Sequence, residues 1–324
     1  MKRMRRKGKL KEAFGLIGGI FLLSGCLPQP SLTPQADYDV HFLTPSAYYG
    51  KEGYEEGATI KDNNSYTTFV RWIEVNDNHL YCEYTLPKSY EEGQTIPSII
   101  LVHGFNSNHF EWNAFVPFLV SSGFAIAAID CRGGQRSDCR SDGTLVEMTL
   151  DSQIHDVQAT TQYMKSQKEV DPSNLFLMGH SQGGLIASLA ASTAKIRNDL
   201  CGLISLSGGY TIIDDIVYGY DENNLPESPT LLETEIGKGY LESAFRHRNY
   251  RTEITYFQGS VLLAVGENDN MVSPDSVESI YQQSYSSQGY FYKVPNAGHG
   301  FSALDLQSFY PEVLEPFLLN AKIK

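Results

Sequence analysis

Residues 175–191 read LFLMGHSQGGLIASLAA, and this stretch decides the fold. Its first four residues are apolar, as in a short buried strand. The residues after Gly183 are mostly small or aliphatic, as in a helix that packs closely on a sheet. Between the two runs, Gly179 and Gly183 flank Ser181 at the tight turn that must join them. We therefore predict a strand that turns sharply at Ser181 into a helix.

Apolar runs and helical patterns alternate on both sides of this stretch. Upstream, residues 69–75 and 80–86 are joined by Asn76-Asp77-Asn78 and are typical of an antiparallel pair of strands. Downstream, continuous apolar strands alternate with helices, which indicates an α/β fold with a mainly parallel sheet covered by helices on both faces. The predicted strands are 98–102, 124–129, 175–178, 203–206, 261–265 and 290–294, and the predicted helices are 113–122, 152–166, 183–194, 275–283 and 304–319.

The first 25 residues have the order of an export signal. Seven Lys and Arg residues lie between Lys2 and Lys11. The apolar stretch Phe14–Leu23 that follows has ten residues, too few to cross a bilayer as a helix. They end in Leu23-Ser24-Gly25-Cys26, which resembles the bacterial lipoprotein box. The resemblance implies cleavage before Cys26 and acylation of that cysteine. An ordinary signal peptide or a marginal helical anchor is the alternative.

These features predict the organisation of the chain. We expect a lipoprotein signal peptide at 1–25, a lipidated Cys26 with a flexible tether over 26–65, and one folded domain at 66–324. The far end of the tether can pack on the domain. The protein would be exported and anchored through its lipid to the bacterial cell membrane or cell surface.

The charge of the chain limits its partners. The 324 residues carry a formal net charge of −13, and without residues 1–25 there are 18 basic and 37 acidic residues, a charge of −19. A surface with this much negative charge repels nucleic-acid phosphates and anionic lipid headgroups. We therefore expect no nucleic-acid partner, and attachment to the bilayer through acylated Cys26 rather than through a basic patch.

Four cysteines remain after Cys26: Cys82, Cys131, Cys139 and Cys201. An exported protein can form disulfides, and Cys131 and Cys139 are close enough in sequence to bridge a loop. Cys82 and Cys201, however, lie in or beside strand-like runs, where a buried thiol packs as a small hydrophobic group. These positions favour free thiols.

A serine at a turn of this kind becomes a nucleophile when a base removes its proton. His299, just after the last predicted strand, is the histidine placed to do this, because His247 lies between two arginines and is expected to be solvated. Asp269 follows the strand 261–265, at the end where α/β sites gather, and is the predicted acid. Glu267 is the alternative acid. The chain order Ser181, Asp269, His299 suits an acyl-transfer site.

An acyl-transfer site also needs donors for the oxyanion. The backbone N–H of Phe105, in His103-Gly104-Phe105, and that of Gln182, directly after Ser181, are the candidates. His103 and His180 are expected to be structural neighbours of the site. The eight histidines show no two-histidine spacing suited to a metal, and the glycine-rich stretches lack a phosphate-loop Lys-Ser/Thr or a full dinucleotide motif. We predict neither a metal nor a cofactor.

Eight short segments between residues 96 and 320 together carry a family resemblance: His103-Gly104-Phe105, Asp130-Cys131-Arg132-Gly133-Gly134, Ser141-Asp142-Gly143, Met148-Thr149, Gly179–Gly184, Gly239-Tyr240, Asp269–Pro274 and Gly298-His299. On these segments, most of residues 96–320 resemble the bacterial cinnamoyl (feruloyl) esterases of the α/β-hydrolase superfamily. The resemblance implies a catalytic triad of Ser181, Asp269 and His299 and a lid, inserted before the acid strand, that binds an aromatic acyl group. The chain departs from the family in having Gly-Glu-Asn-Asp at 266–269, where Gly-x-Asp-Asp is common.

Residues 209–257 are too long for an ordinary connection between two strands and carry eight aromatic residues. We interpret them as a cap over the site. The alternative is a surface excursion that does not touch substrate.

Together these features predict a serine carboxylesterase that forms an acyl-enzyme and acts on a small-molecule or polysaccharide-linked ester. Hydroxycinnamoyl esters and other short or aromatic acyl esters are the candidate substrates. An exported serine peptidase of the same fold and a non-catalytic surface-binding lipoprotein are the alternatives. The sequence leaves the oligomeric state open.

Overall fold

The computed structural model describes residues 41–135 and 139–321. In these residues nine strands form one sheet, in the order β1-β2-β3-β5-β4-β6-β7-β10-β11. The strands of this sheet are β1 (Thr59–Asp62), β2 (Tyr66–Val75), β3 (Asn78–Pro87), β4 (Ile96–Val102), β5 (Ala125–Asp130), β6 (Val170–His180), β7 (Gly202–Leu206), β10 (Ser260–Gly266) and β11 (Gly289–Val294). A separate short pair consists of β8 (Thr230–Leu231) and β9 (Thr234–Glu235).

The sheet is mainly parallel, as predicted. The six strands β5, β4, β6, β7, β10 and β11 run parallel to one another, whereas the pairs β1–β2, β2–β3 and β3–β5 are antiparallel. Asn76 and Asp77 join β2 to β3 with φ values of 49° and 61°. Asn and Asp tolerate this left-handed backbone, so a two-residue turn closes the hairpin.

Nine α-helices lie in the described part of the chain, and they cover both faces of the sheet. They are α1 (Val116–Ser121), α2 (Leu150–Ser166), α3 (Gln182–Ser192), α4 (Thr211–Gly219), α5 (Lys238–Arg246), α6 (Tyr250–Glu253), α7 (Pro274–Ile280), α8 (Ala303–Phe309) and α9 (Glu315–Ala321). Alternate residues of β4 show the two layers: Ile100 and Val102 belong to the core that α2 and α3 cover, and Ile99 and Leu101 to the core that α1, α8 and α9 cover.

The insertion between β7 and β10 contains α4, α5, α6 and the β8–β9 pair. Five of its eight aromatic side chains are buried, and they belong to the same hydrophobic core as α2 and α3: Tyr210, Tyr240, Phe245, Tyr250 and Phe257. Tyr218 is the exposed exception, with 88% of its surface accessible. Most of the aromatic content of the cap therefore stabilises its packing on the domain.

His247 is buried, so the expectation that it is solvated was wrong. It is 2% exposed, and its ring nitrogens contact Glu253 at 2.7 Å and Asp151 at 3.0 Å. Arg246 binds the other oxygen of Asp151 through its Nε at 2.9 Å. Two neighbouring cationic residues of the cap thus converge on one carboxylate at the start of α2, which offsets the cost of burying the charges.

The described residues upstream of β1 pack on the domain. The Phe42 side chain is 3% exposed and lies against the Arg132 guanidinium, 4.9 Å from the ring centroid. The Phe42 main chain pairs with the side-chain amide of Asn78, and Tyr49 stacks on His79 with 3.6 Å between ring centroids. The far end of the expected tether, from residue 41 onward, is therefore part of the folded body, whereas Cys26 and the rest of the tether lie outside the described residues.

None of the described cysteines, Cys82, Cys131, Cys139 and Cys201, forms a disulfide with another. Within residues 41–135 and 139–321, no helix has the length and apolar content that a membrane span requires. The same residues contain no group of three His, Cys, Asp or Glu side chains arranged to hold a metal ion.

Candidate active site

Ser181 stands at the turn between β6 and α3, with φ 53° and ψ −124°. A side chain at position 179 would collide with the Gly183 carbonyl, and one at position 183 would collide with the Val102 carbonyl of β4. Glycine at both positions lets the chain reverse here. The turn holds the Ser181 side chain at the carboxyl end of the sheet, with α3 starting directly behind it.

His299 reaches Ser181 from the loop after β11. Its Nε2 lies 3.0 Å from Ser181 Oγ, and its Nδ1 lies 2.9 Å from Asp269 Oδ2 and 3.1 Å from Asp269 Oδ1. Asp269 itself follows β10. The structure thus brings together, at hydrogen-bond distance, the three residues that the sequence places after three different strands.

Asp269 is held as a carboxylate. Burial alone would raise its pKa, but the hydrogen bond from His299 and those from the backbone N–H groups of Val272 and Met271 outweigh burial and lower the pKa to about 2. An ionised Asp269 accepts a hydrogen bond from the protonated Nδ1 of His299. The lone pair of Nε2 is then directed at Ser181, which is the tautomer that a general base requires.

Glu267, the alternative acid, lies elsewhere. Its side chain is exposed, and Oε2 accepts a hydrogen bond from the backbone N–H of Asn296 at 3.2 Å. Among the described residues, it is the Asp269 carboxylate that contacts His299.

The two expected oxyanion donors flank Ser181. Gln182 is the first residue of α3, so its N–H has no carbonyl partner within the helix. Phe105 follows Gly104, where an added Cβ would lie 3.1 Å from the Ser181 Cβ. On the opposite side, Gly209 donates its N–H to the Ser181 carbonyl at 2.8 Å. The cap therefore begins immediately beside the turn that carries Ser181.

His103 has the structural role that the sequence indicates. It is 2% exposed, its Nε2 accepts the Cys131 N–H at 3.0 Å, and its Nδ1 donates to the Gly104 carbonyl at 2.8 Å. Both ring nitrogens are occupied, so His103 fixes the loop that carries Phe105 and has no nitrogen left to act as a base.

Two sets of neighbours were not anticipated from the sequence. The side chain of Gln182 donates to Gln153 at 2.7 Å and accepts from the Tyr240 hydroxyl at 2.6 Å, which joins α2 and the cap to the residue after Ser181. Glu111 binds the ring of His180 at 2.7 Å. Neither Gln153 nor Glu111 belongs to a motif, and only the tertiary fold brings them to the site.

A cavity of about 400 Å³ lies at the cap, and its lining includes Glu222, Lys238 and Arg246. Neither Ser181 nor His299 lines it. Three of its charged lining residues form ion pairs with residues outside the lining: Glu222 with Arg248, Lys238 with Glu227 and Arg246 with Asp151.

Part of the chain is similar to a known protein family. Residues 93–222 match the family described as serine aminopeptidase, S33. No curated protein sequence matches the chain.

Several solved structures share the fold. Est1E from Butyrivibrio proteoclasticus superposes with a TM-score of 0.66 at 21% sequence identity, covering 79% of this chain and 99% of that one. The structure titled "Ferulic Acid bound to Est1E" gives a TM-score of 0.64 at 22% identity and covers 78% and 96%. A monoacylglycerol lipase from Paleococcus ferrophilus gives 0.54 at 16% identity and covers 74% and 98%. With a mostly parallel sheet of this order and a serine at the turn after β6, the chain has the α/β-hydrolase fold.

Proposed function

We propose that the protein is a carboxylic ester hydrolase that acts through Ser181, His299 and Asp269 and forms an acyl-enzyme. The observation that carries the proposal is the continuous chain of hydrogen bonds from Ser181 Oγ through His299 to an ionised Asp269. A protein that only bound a partner would have no need of a serine, a base and an acid in this order.

The reaction follows from the geometry. His299 Nε2 takes the Ser181 proton as Oγ attacks the acyl carbonyl, and the carbonyl oxygen becomes an oxyanion that the N–H groups of Phe105 and Gln182 stabilise. The tetrahedral intermediate collapses, and the leaving alcohol takes the proton from His299. Water activated by the same His299 then attacks the acyl-enzyme, releases the acid and restores Ser181. Every proton passes through His299, so the reaction needs no cofactor.

Hydroxycinnamoyl esters, or other short or aromatic acyl esters, are the proposed substrates. Support comes from the resemblance of residues 96–320 to feruloyl esterases and from the ferulic-acid complex of a structural neighbour. The structure of the cap limits which of its residues can contact a substrate, because most of its aromatic rings are buried. The remaining candidates are residues at the start of the cap, such as Ile212 beside Gly209, and the exposed or partly exposed rings.

A second candidate, a serine peptidase, is favoured by the family match, whose description is serine aminopeptidase. The match covers the loop that carries Phe105 and the turn at Ser181, which esterases and peptidases share, and ends before Asp269. The match therefore supports an acyl-transfer site but does not distinguish an ester, which releases an alcohol, from a peptide, which releases an amine.

A hydrolysis panel on purified residues 27–324 separates these candidates. It includes p-nitrophenyl esters from acetate to dodecanoate, methyl ferulate, acetylated xylan and an aminoacyl anilide. We expect hydrolysis of esters, methyl ferulate among them, and none of the anilide. Preferred cleavage of the anilide would favour the peptidase, and the Ser181→Ala protein controls for hydrolysis that does not depend on the site.

Lipid attachment at Cys26 is part of the proposal and is supported by the basic start, the apolar stretch and the Leu-Ser-Gly-Cys sequence. The wild-type chain should fractionate with membranes, and the Cys26→Ser chain should be neither lipidated nor cleaved at that position. A wholly soluble wild-type chain with an unmodified N-terminus would contradict the anchor.

A further inference from the structure

Glu111 and His180 link the three loops on which the proposed reaction depends. His180 Nδ1 lies 2.7 Å from Glu111 Oε1, and His180 Nε2 lies 2.8 Å from the main-chain carbonyl oxygen of His299. The two oxygens of Glu111 also accept the N–H of Gly104, at 3.2 and 3.3 Å. The pair therefore contacts the loop of Phe105, the turn of Ser181 and the loop of His299 together.

The protonation state of His180 follows from its partners. A carboxylate oxygen and a main-chain carbonyl oxygen both accept hydrogen bonds and carry no proton of their own. A neutral imidazole has one N–H and can satisfy only one of them, so both nitrogens of His180 must be protonated. His180 is then an imidazolium paired with the Glu111 carboxylate, and their side chains are 12% and 20% exposed.

The hydrogen bonds of Glu111 and His180 hold the two segments that must be positioned for the reaction. The His299 carbonyl belongs to the same residue as the ring that faces Ser181, and Gly104 precedes the N–H of Phe105. We propose that Glu111 and His180 are a positioning pair, an inference that rests on the proposed function. The His180 imidazolium fixes the main chain of His299, and the Glu111 carboxylate fixes the loop that carries the oxyanion donor Phe105.

The proposal makes the site sensitive to alkaline pH. The titratable groups that face His180 are Glu111 from the segment before α1, His299 and Asp269 from the loops after β11 and β10, and His103 on the far side of Glu111. Burial lowers the pKa of His180, but Glu111 chiefly, with the His299 carbonyl and Asp269, outweighs it and raises the pKa. The imidazolium that the two acceptors require is therefore lost only as pH rises through this raised pKa.

Histidine-selective ¹⁵N NMR of the full enzyme tests the protonation state without any substrate. At pH 7 the wild-type protein should show, besides the imidazolium of His247, another imidazolium with two protonated ring nitrogens that is absent from the His180→Gln protein. In Glu111→Gln this ring should become neutral at the same pH. A neutral His180 in the wild-type protein at pH 7 would overturn the proposal, whether or not the protein hydrolyses esters.

Kinetics test the positioning role. A displacement of about 1 Å at a reacting group costs up to about 100-fold in rate, so Glu111→Gln should lower kcat by roughly 10- to 100-fold with KM nearly unchanged. Because an opposite charge beside a histidine raises its pKa by one unit or more, the alkaline fall in kcat should move down by about one pH unit. Glu74→Gln, exposed on β2 away from the site, is the matched control and should change neither quantity.

The outcomes separate the two proposals. An active Glu111→Gln enzyme with unchanged kcat and an unchanged pH profile would refute the positioning pair and leave the esterase intact. Failure of the wild-type protein both to hydrolyse any ester and to react with a fluorophosphonate at Ser181 would refute the proposed function. A Glu111→Gln protein that does not fold leaves the wild-type NMR measurement to decide.

Discussion

The contact between the cap and α2 predicts how stability depends on pH. Asp151 is 5% exposed and binds both Arg246 and His247 of the cap, and His247 also binds Glu253. Asp151→Asn keeps the shape of the side chain but removes the charge that these two cations share. It leaves the buried His247 with Glu253 as its remaining carboxylate.

The expected magnitude follows from the pKa of His247. Burial lowers this pKa, but hydrogen bonds with Asp151 and Glu253 outweigh burial and raise it to about 9 from the ordinary 6.5. That change corresponds to about 3 kcal/mol, which is what the two carboxylates contribute after the opposing effect of burial is subtracted. Loss of Asp151, with its bond to Arg246, should therefore lower the free energy of unfolding by roughly 2 kcal/mol near pH 6.

The stabilisation from this contact is lost both at high pH, through His247, and at low pH, through Asp151. Because the folded pKa of His247 is raised, its contribution is complete below about pH 6.5 and is lost as pH rises through about 9. The pKa of Asp151 is lowered, since His247 and Arg246 outweigh its burial, so that contribution is lost as pH falls below the ordinary value of 3.8. The cost of Asp151→Asn should be greatest between about pH 4 and 6.5 and smaller at pH 10.

Urea unfolding of the wild-type and Asp151→Asn proteins at pH 6 and pH 10 measures this difference. Glu222→Gln is the matched control, because it removes a cap carboxylate from a pair with Arg248 in which both side chains are about half exposed. Such a surface pair contributes about 1 kcal/mol at most. Equal stability of Asp151→Asn and wild type at pH 6, or a difference that does not change by pH 10, would refute the reasoning.

Three further predictions concern the site and the N-terminal segment. Ser181→Ala should lower kcat by about 10⁴-fold or more and abolish fluorophosphonate labelling without loss of fold, and substantial activity in the folded variant would exclude Ser181 as nucleophile. Asp269→Asn should lower kcat by roughly 10³- to 10⁴-fold, and a larger effect from Glu267→Gln would show that the acid is misassigned. Phe42→Ala should lower the free energy of unfolding by about 3–5 kcal/mol in urea titrations, and a change below about 1 kcal/mol would show that this segment does not stabilise the domain.

The sequence predicted most of the fold because the signals were local. Buried parallel strands are continuous apolar runs, and every predicted strand overlaps a strand of the sheet. The glycines around Ser181 and the polar residues after β10 and β11 likewise mark the site by their position along the chain. Parallel strands bring such residues to one edge, so their chain order was enough to predict their proximity.

What the sequence did not show depends on contacts between distant segments. His247 between two arginines has the pattern of a solvated residue, and it is buried because Asp151, 96 positions away, supplies the opposite charge. Phe42 lies in a stretch without periodicity, and its pocket is formed by Arg132 and the loop at Gly143. Glu111 is one acidic residue among 38, and only the fold places it beside His180.

The position of His299 after an edge strand has a consequence for inactivation by heat. Ser181 follows β6, which has strands on both sides, whereas β11 pairs with β10 alone among the described residues, and its Tyr290 is 64% exposed. A strand with one neighbour opens at a lower free energy than a central one. On warming, β11 and the loop that carries His299 should therefore open before the central strands of the sheet unfold. Activity should then decline at temperatures where circular dichroism still reports a folded protein, and should return on cooling.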